Sequence, residues 1–206
     1  MDKNTLAVST YEKIADAYAQ HYFSEMSDTP YIDIFLNQLP PKGHVLDIGC
    51  GPGQFTQYMM KKDFEVTGID YSQEMIKLAK QKVPTGHFQH MDMKHMNFED
   101  ETFDGLLAAY SLIHIPSKEI PQTLREFHRV LIPNGLIHII AQSGEPDKII
   151  DEPFHTESKM FFNFFTKKRL VNFTEDAGFH ASYCEEVNSE DPDLMSDTII
   201  YLIAKK

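Results

Sequence analysis

Apolar residues along the chain fall into two rhythms that take turns. Short, mostly apolar runs at 45–48, 64–69, 103–109 and 136–141 read as strands, and 136–141 is unbroken, as in a sheet covered on both faces. Between them apolar positions recur at helical spacing. One such stretch, 9–25, carries Tyr11, Ile14, Ala15, Tyr18, Ala19 and Tyr22 on one side. Others are 30–39 (Tyr31, Ile34, Phe35, Leu39), the residues from Gln54 onward, 72–82 (Met75, Ile76, Ala79), 121–131 (Leu124, Phe127, Val130, Leu131) and 166–176. Further strands are expected at 86–90, 182–187 and 198–204. This alternation predicts an α/β fold with a mostly parallel sheet and helices on both faces.

Punctuation supports these limits. Pro30 suits a first helical turn, Pro40-Pro41-Lys42-Gly43 breaks the chain, and Ser72 and Thr166 are good N-caps. Pro133-Asn134-Gly135 is a helix stop signal, with Asn134 suited to the left-handed conformation. Residues 143–165 are the least regular, acidic first and then aromatic (Phe154, Phe161, Phe162, Phe164, Phe165). They read as a loop and short helix whose rings pack. Residues 188–197 read as a polar turn. No break separates two domains, so residues 1–206 are expected to form one.

The candidate chemistry gathers at Val45-Leu46-Asp47-Ile48-Gly49-Cys50-Gly51-Pro52-Gly53, a strand that runs into a glycine turn and a helix. Gly49, Gly51 and Gly53 let the backbone turn tightly and approach a ligand closely. The following helix presents free N–H groups at its start. Asp47 is placed to orient the turn or hold a ligand amine. The next strand ends in Asp70, about 20 residues past the turn, where an acidic residue takes the hydroxyls of a ribose. In the nicotinamide fingerprint the third glycine would fall at position 54, which is Gln54. The spacing therefore disfavours a pyrophosphate-binding turn.

Leu46-Asp47-Ile48-Gly49-Cys50-Gly51-Pro52-Gly53 resembles the first motif of the class I S-adenosylmethionine-dependent methyltransferases, and Gly68-Ile69-Asp70-Tyr71-Ser72-Gln73-Glu74-Met75 resembles their second. The resemblance extends to Met91-Asp92-Met93, to the run from Leu124 to Leu136 and to Ala177-Gly178-Phe179. It implies a Rossmann-like seven-stranded, mostly parallel sheet with an antiparallel last strand. It also implies S-adenosyl-L-methionine as cofactor and transfer of its methyl group to a small-molecule acceptor by in-line displacement. Cofactor contacts are then expected from Tyr11, Tyr18, Asp47, Gly49, Gly51, Gly53, Asp70, Tyr71, Met75, Asp92, Met93 and Ala109. Asp92 would accept from the adenine amine, and the Met93 backbone would meet a ring nitrogen. Residues 1–40 would supply a helical lid, with 143–165 covering the acceptor. His114 is the residue best suited to proton transfer near neutral pH, with Tyr18 and Tyr110 as further candidates. A hydrogen-bonded pocket histidine is the alternative role for His114. Two rival readings stay open: a cofactor-binding protein without methyl transfer, and a different chemistry on the same fold.

Composition narrows the partners. The 206 residues carry 19 basic and 31 acidic side chains, a formal charge of −12. That balance opposes non-specific affinity for nucleic acid or anionic lipid, so neither is an expected partner. No run approaches the length of a membrane span, and the N-terminus lacks an apolar signal core, so a cytoplasmic location is expected. Cys50 and Cys184 make no disulfide framework. His87, His90, Asp92 and His95 lack the spacing of a zinc motif, and no metal is expected.

Overall fold

The computed structural model describes residues 3–152, 155–189 and 196–206. Phe154 and most of the expected polar turn at 188–197 lie outside these residues, as do Met1 and Asp2. Two helices, α1 (Lys3–Tyr22) and α2 (Thr29–Leu36), precede the first strand. Then come β1 (His44–Ile48), α3 (Gln54–Lys61), β2 (Glu65–Asp70), α4 (Gln73–Lys82), β3 (His87–His90) and β4 (Phe103–Ala109). A 3-10 turn at Leu112–His114 leads to α5 (Ile120–Val130) and β5 (Leu131–Gln142). The chain continues through β6 (Lys148–Glu152), β7 (His155–Phe162), α6 (Lys167–Asp176), β8 (His180–Asn188) and β9 (Thr198–Lys205).

Seven strands form one sheet in the order β3-β2-β1-β4-β5-β9-β8. The first five pair in parallel, and β9 runs against both β5 and β8. The predicted sheet is therefore present, with its reversed last strand. Strand order reverses at β1, so the carboxyl ends of β1 and β4 part there and open a crevice, the place where open α/β sheets bind ligands. Alternate residues feed opposite faces. Leu46, Ile48, Leu106, Ala108, Ile137 and Ile139 pack with α5 and α6 residues such as Phe127 and Leu170. Val45, Val66, Leu107 and Ile140 pack with Ile32 and Phe35 of α2 and with Met59 of α3. Both caps form as expected: Ser72 Oγ accepts from Met75 N–H (3.2 Å) and Thr166 Oγ1 from Arg169 N–H (3.2 Å).

Three expectations are corrected. Among the described residues, 143–165 hold no helix. They form an antiparallel hairpin, β6 on β7, with Ile149 opposite Phe161 and Ile150 opposite Met160. Its rings do pack, but against α1, and Thr10 Oγ1 donates to Lys159 O (2.8 Å). Helix α1 begins at Lys3 rather than Ser9, because Ala7 is buried on its inner side and extends the apolar stripe a turn earlier. The helix α5 ends at Val130, and β5 starts at once. The Pro133-Asn134-Gly135 stop is thus a bulge inside the strand's beginning, where the pairing with β4 shifts and Asn134 takes φ 66°.

One buried carboxylate ties distant parts together. Asp28, just before α2, is 5% exposed and accepts from the hydroxyls of Tyr110 (3.1 Å) and Tyr201 (2.6 Å). The two phenols come from the end of β4 and from β9. An Asp28→Ala variant leaves the buried Tyr201 hydroxyl and the half-buried Tyr110 hydroxyl without this acceptor, and a buried donor left unsatisfied costs about 1–3 kcal/mol. Urea unfolding of Asp28→Ala should show at least 2 kcal/mol less stability than the parent, whereas Tyr201→Phe alone should cost about 1 kcal/mol.

Candidate active site

The turn after β1 is pinned from below. Gly49 N–H and Cys50 N–H both donate to Ile69 O (2.8 and 2.9 Å), which locks the end of β1 to the end of β2. Gly49 takes φ 71°, and a Cβ there would lie 2.3 Å from Ser111 Cβ. Only glycine fits, on both counts. Asp70 then grips the next part of the turn. Its Oδ2 accepts from Gly51 N–H (2.9 Å) and its Oδ1 from Ser72 N–H (2.8 Å). Each oxygen has a second lone pair, so the carboxylate keeps capacity for further donors. Burial raises the Asp70 pKa, and the bonds from Ser72, Gly51 and Tyr71 N–H and the nearby His90 pull it back.

A cavity opens above this turn. Its wall comprises Gly49, Gly51, Ile69, Asp70, Tyr71, Met75, Met91, Met93, Ala109, Tyr110, Ser111, His114 and Ile115, closed by Ala7, Val8, Tyr11 and Tyr18 of α1. Eleven of the residues named from the sequence therefore share one cavity: Tyr11, Tyr18, Gly49, Gly51, Asp70, Tyr71, Met75, Met93, Ala109, Tyr110 and His114. Asp47, Gly53 and Asp92 are not in its wall. Asp47 lies beneath the turn, where its Oδ2 accepts from Thr56 Oγ1 (2.6 Å) and so ties β1 to α3. Burial, reinforced by the charge of Asp70, raises its pKa to about 7 against the pull of Thr56. Gly53 starts α3 at φ 90° with Phe88 packed where a Cβ would be. Asp92 turns its Oδ1 to Lys94 N–H (2.9 Å) and lies near the Lys94 ammonium.

The sequence reading missed Ala7, Val8, Ile69, Met91, Ser111 and Ile115. Ala7 and Val8 carried a usable signal: each precedes Tyr11 by one helical turn, four and three residues back. Ser111 carried none, since its place depends on how the chain turns after β4. That turn is strained, with Tyr110 at φ 53°.

His114 is buried and bonded at both nitrogens. Nδ1 lies 3.0 Å from Phe161 O and Nε2 lies 2.9 Å from the Tyr11 hydroxyl. A carbonyl only accepts, so Nδ1 carries the hydrogen, and in the neutral ring Tyr11 donates to Nε2. Burial lowers the His114 pKa to about 4, partly opposed by the bond to Phe161. The Tyr18 phenol is pushed upward by burial and by the nearby Tyr22, Asp70 and Asp28, so it remains protonated. Among the described residues, no three His, Cys, Asp or Glu side chains gather as metal ligands. Nor is any described helix long and apolar enough to cross a membrane.

Residues 45–135, from β1 into the start of β5, match the family model of a methyltransferase domain. This stretch, less than half of the chain, is similar to methyltransferase domains. The chain is similar to the demethylmenaquinone methyltransferase of Lactiplantibacillus plantarum (strain ATCC BAA-793 / NCIMB 8826 / WCFS1), 33% identical over 124 residues, 56% of this chain and 51% of that one. The chain spans about half the length of the curated relatives it matches. Among solved structures it resembles a Burkholderia thailandensis 1,6-didemethyltoxoflavin-N1-methyltransferase bound to 1,6-didemethyltoxoflavin and S-adenosylhomocysteine. The TM-score is 0.77 at 21% identity, over 98% of this chain and 88% of that one. The [4+2]-cyclase SpnF is also similar, with a TM-score of 0.79 at 16% identity, over 100% of this chain and 97% of that one. At such identities the likeness shows the fold alone.

Two expectations follow from these buried titrating groups. Nitrogen-15 NMR of the His114 ring should show the neutral Nδ1–H form persisting below pH 5, well past an ordinary histidine's titration at about 6.5. A charged ring at pH 6 would refute the buried geometry. For Asp47 the folded pKa is raised, so the parent loses stability as pH rises from the ordinary carboxylate range through about 7. Asp47→Asn keeps an acceptor for Thr56 and has no charge to bury. Its melting temperature relative to the parent should therefore climb between pH 4.5 and pH 7.5, by roughly 3 °C or more. A constant offset would show that Asp47 does not carry the buried charge.

Proposed function

We propose that the chain is an S-adenosylmethionine-dependent methyltransferase acting on a small-molecule acceptor. The observation that carries this reading is the Asp70 carboxylate. It faces the same cavity as the glycine turn, held by two backbone N–H groups and with lone pairs left for two ribose hydroxyls. Two further features support the fit. The cavity wall at Gly49 and Gly51 is bare backbone. Beside Gly49 the Ser111 hydroxyl is buried with no partner.

In this reading Met75, Met91, Met93 and Tyr71 flank the adenine, Asp70 takes the ribose, and the glycine turn meets the amino-acid end. When bound, the cofactor supplies a methyl group on a sulfonium, which the acceptor atom takes by in-line displacement. The chain's own contribution is alignment and exclusion of water. Tyr11 and Tyr18 close the cavity from α1, and β7 holds α1 in place through Thr10. His114 acts here as a positioning residue. Its two nitrogens fasten Tyr11 and Phe161, so neither is turned to an incoming proton.

Titration with S-adenosylhomocysteine, with NAD as control, tests the reading. Ligand at 100 times its dissociation constant should add about 2.7 kcal/mol of stability, and NAD should add none. Asp70→Ala should weaken S-adenosylhomocysteine binding by more than tenfold, that is about 1.4 kcal/mol or more. Equal affinity in the variant would remove the ribose assignment.

A further inference from the structure

We infer that His90 is a positioning residue for the cofactor, holding the Tyr71 ring in place as the outer wall of the adenine site. The inference rests on the methyltransferase reading and adds to it a residue that acts from outside the cavity.

Among the described residues three large apolar side chains are exposed, and Tyr71, at 42%, is the one that lines the cavity. Apolar surface left open at the mouth of a cavity is the kind a ligand covers. Tyr71 lies in the short connection between β2, which ends at Asp70, and α4, which starts at Gln73. Neither element includes it. Its N–H is drawn to the Asp70 carboxylate, which fixes one side of its backbone.

His90 supplies the other side. It is the last residue of β3 and pairs with Asp70, and the next residue, Met91, donates its N–H to Asp70 O (2.9 Å). The end of β3 is thus tied to the strand end from which Tyr71 departs. From there the imidazole reaches Tyr71 twice. Its Nε2 lies 3.0 Å from Tyr71 O, and since a carbonyl only accepts, Nε2 carries the hydrogen and donates it. Its ring lies along the phenol ring with centroids 5.6 Å apart and planes 11° from parallel, an offset stack. One contact fixes the backbone of Tyr71 and the other covers a face of its ring. His90 is itself exposed and is not in the cavity wall, so neither core packing nor direct ligand contact accounts for the pair of contacts.

A purine that enters beside Met75, Met91 and Met93 then meets a ring that is already ordered. A side chain held before the ligand arrives avoids the entropy loss of one that must be ordered on binding. A second route from His90 to the ligand exists, because the imidazole lies near enough to Asp70 to favour its charged form. That route would act on the ribose and does not pass through Tyr71. The two part when Tyr71 is removed.

Calorimetric titration of S-adenosylhomocysteine into the parent, His90→Ala, Tyr71→Ala and the double variant tests the inference. His90→Ala should bind about fivefold more weakly than the parent, while its melting temperature without ligand stays within about 3 °C. Tyr71→Ala should lose at least as much affinity. In the Tyr71→Ala background, removal of His90 should cost less than about twofold, since the ring it acts through is already gone. His90→Thr, a residue that suits a strand, replaces the alanine in the same cycle if His90→Ala melts well below the parent. Equal affinity of the His90 variant and the parent would overturn the inference. So would a His90 effect that is undiminished without Tyr71, which would assign it to Asp70 instead. If S-adenosylhomocysteine fails to bind the parent itself, the cofactor reading falls, and the role of His90 goes with it.

Discussion

The carboxylate of Asp70 is the constraint on which the ligand-facing edge depends. The end of β2 must present an acid to the cavity, yet an acid there is buried and its charge is costly. The two backbone donors of Gly51 and Ser72 offset part of that cost. In giving them, the chain commits the glycine turn and the start of α4 to fixed positions around the same two oxygens. Ile69 O, one residue earlier, holds Gly49 and Cys50. Four backbone N–H groups are thus satisfied by two consecutive residues. The turn gains its shape from the strand beside it rather than from its own sequence. Glycine at 49 then becomes obligatory for a reason outside the turn, since Ser111 occupies the space a side chain would need.

This separates what was legible in the sequence from what was not. The glycine turn, the Asp70 spacing, the caps at Ser72 and Thr166 and the sheet itself are local signals, written within a few residues of where they act. The hairpin of β6 and β7 was hidden. Its apolar pairs, Ile149 with Phe161 and Ile150 with Met160, face each other from one strand to the next and show no period within either strand. The start of α1 was misplaced because Ala7 is too small to weigh in a hydrophobic pattern, although its burial is complete. The role of Asp47 was left between two choices. Only the bond from Thr56, nine residues on, sets it beneath the turn. The bond between Tyr11 and His114 joins residues 103 positions apart, and no spacing rule reaches that far.

Those distant bonds share a purpose. His114 stands where three parts of the chain meet: the 3-10 turn after β4, helix α1 through Tyr11, and β7 through Phe161 O. The hairpin and α1 are also joined directly through Thr10 and Lys159 O. A motion of α1 away from the cavity must therefore break the Tyr11 bond, the Thr10 bond, or carry the hairpin with it. A neutral histidine suits this junction. It offers one donor and one acceptor, one for each partner, and burial keeps it neutral across the physiological range.

The strain in the structure is concentrated where alignment matters most. Tyr110 takes a left-handed φ of 53° at the end of β4, a conformation that costs a bulky residue of order 1–3 kcal/mol. Two bonds hold it there: its N–H donates to Ile140 O (2.8 Å) and its hydroxyl to Asp28 (3.1 Å). Asp28 is in turn fixed by Tyr201 of β9. Strands β5 and β9 and the start of α2 thus act together to keep one residue in an unfavourable turn. The result is that the following residue, Ser111, is brought against Gly49, and His114 is brought under α1. A displacement of methyl by the acceptor's own lone pair needs little from acids or bases and much from position. In the proposed reading, the energy of that position is stored in the packing beneath Tyr110.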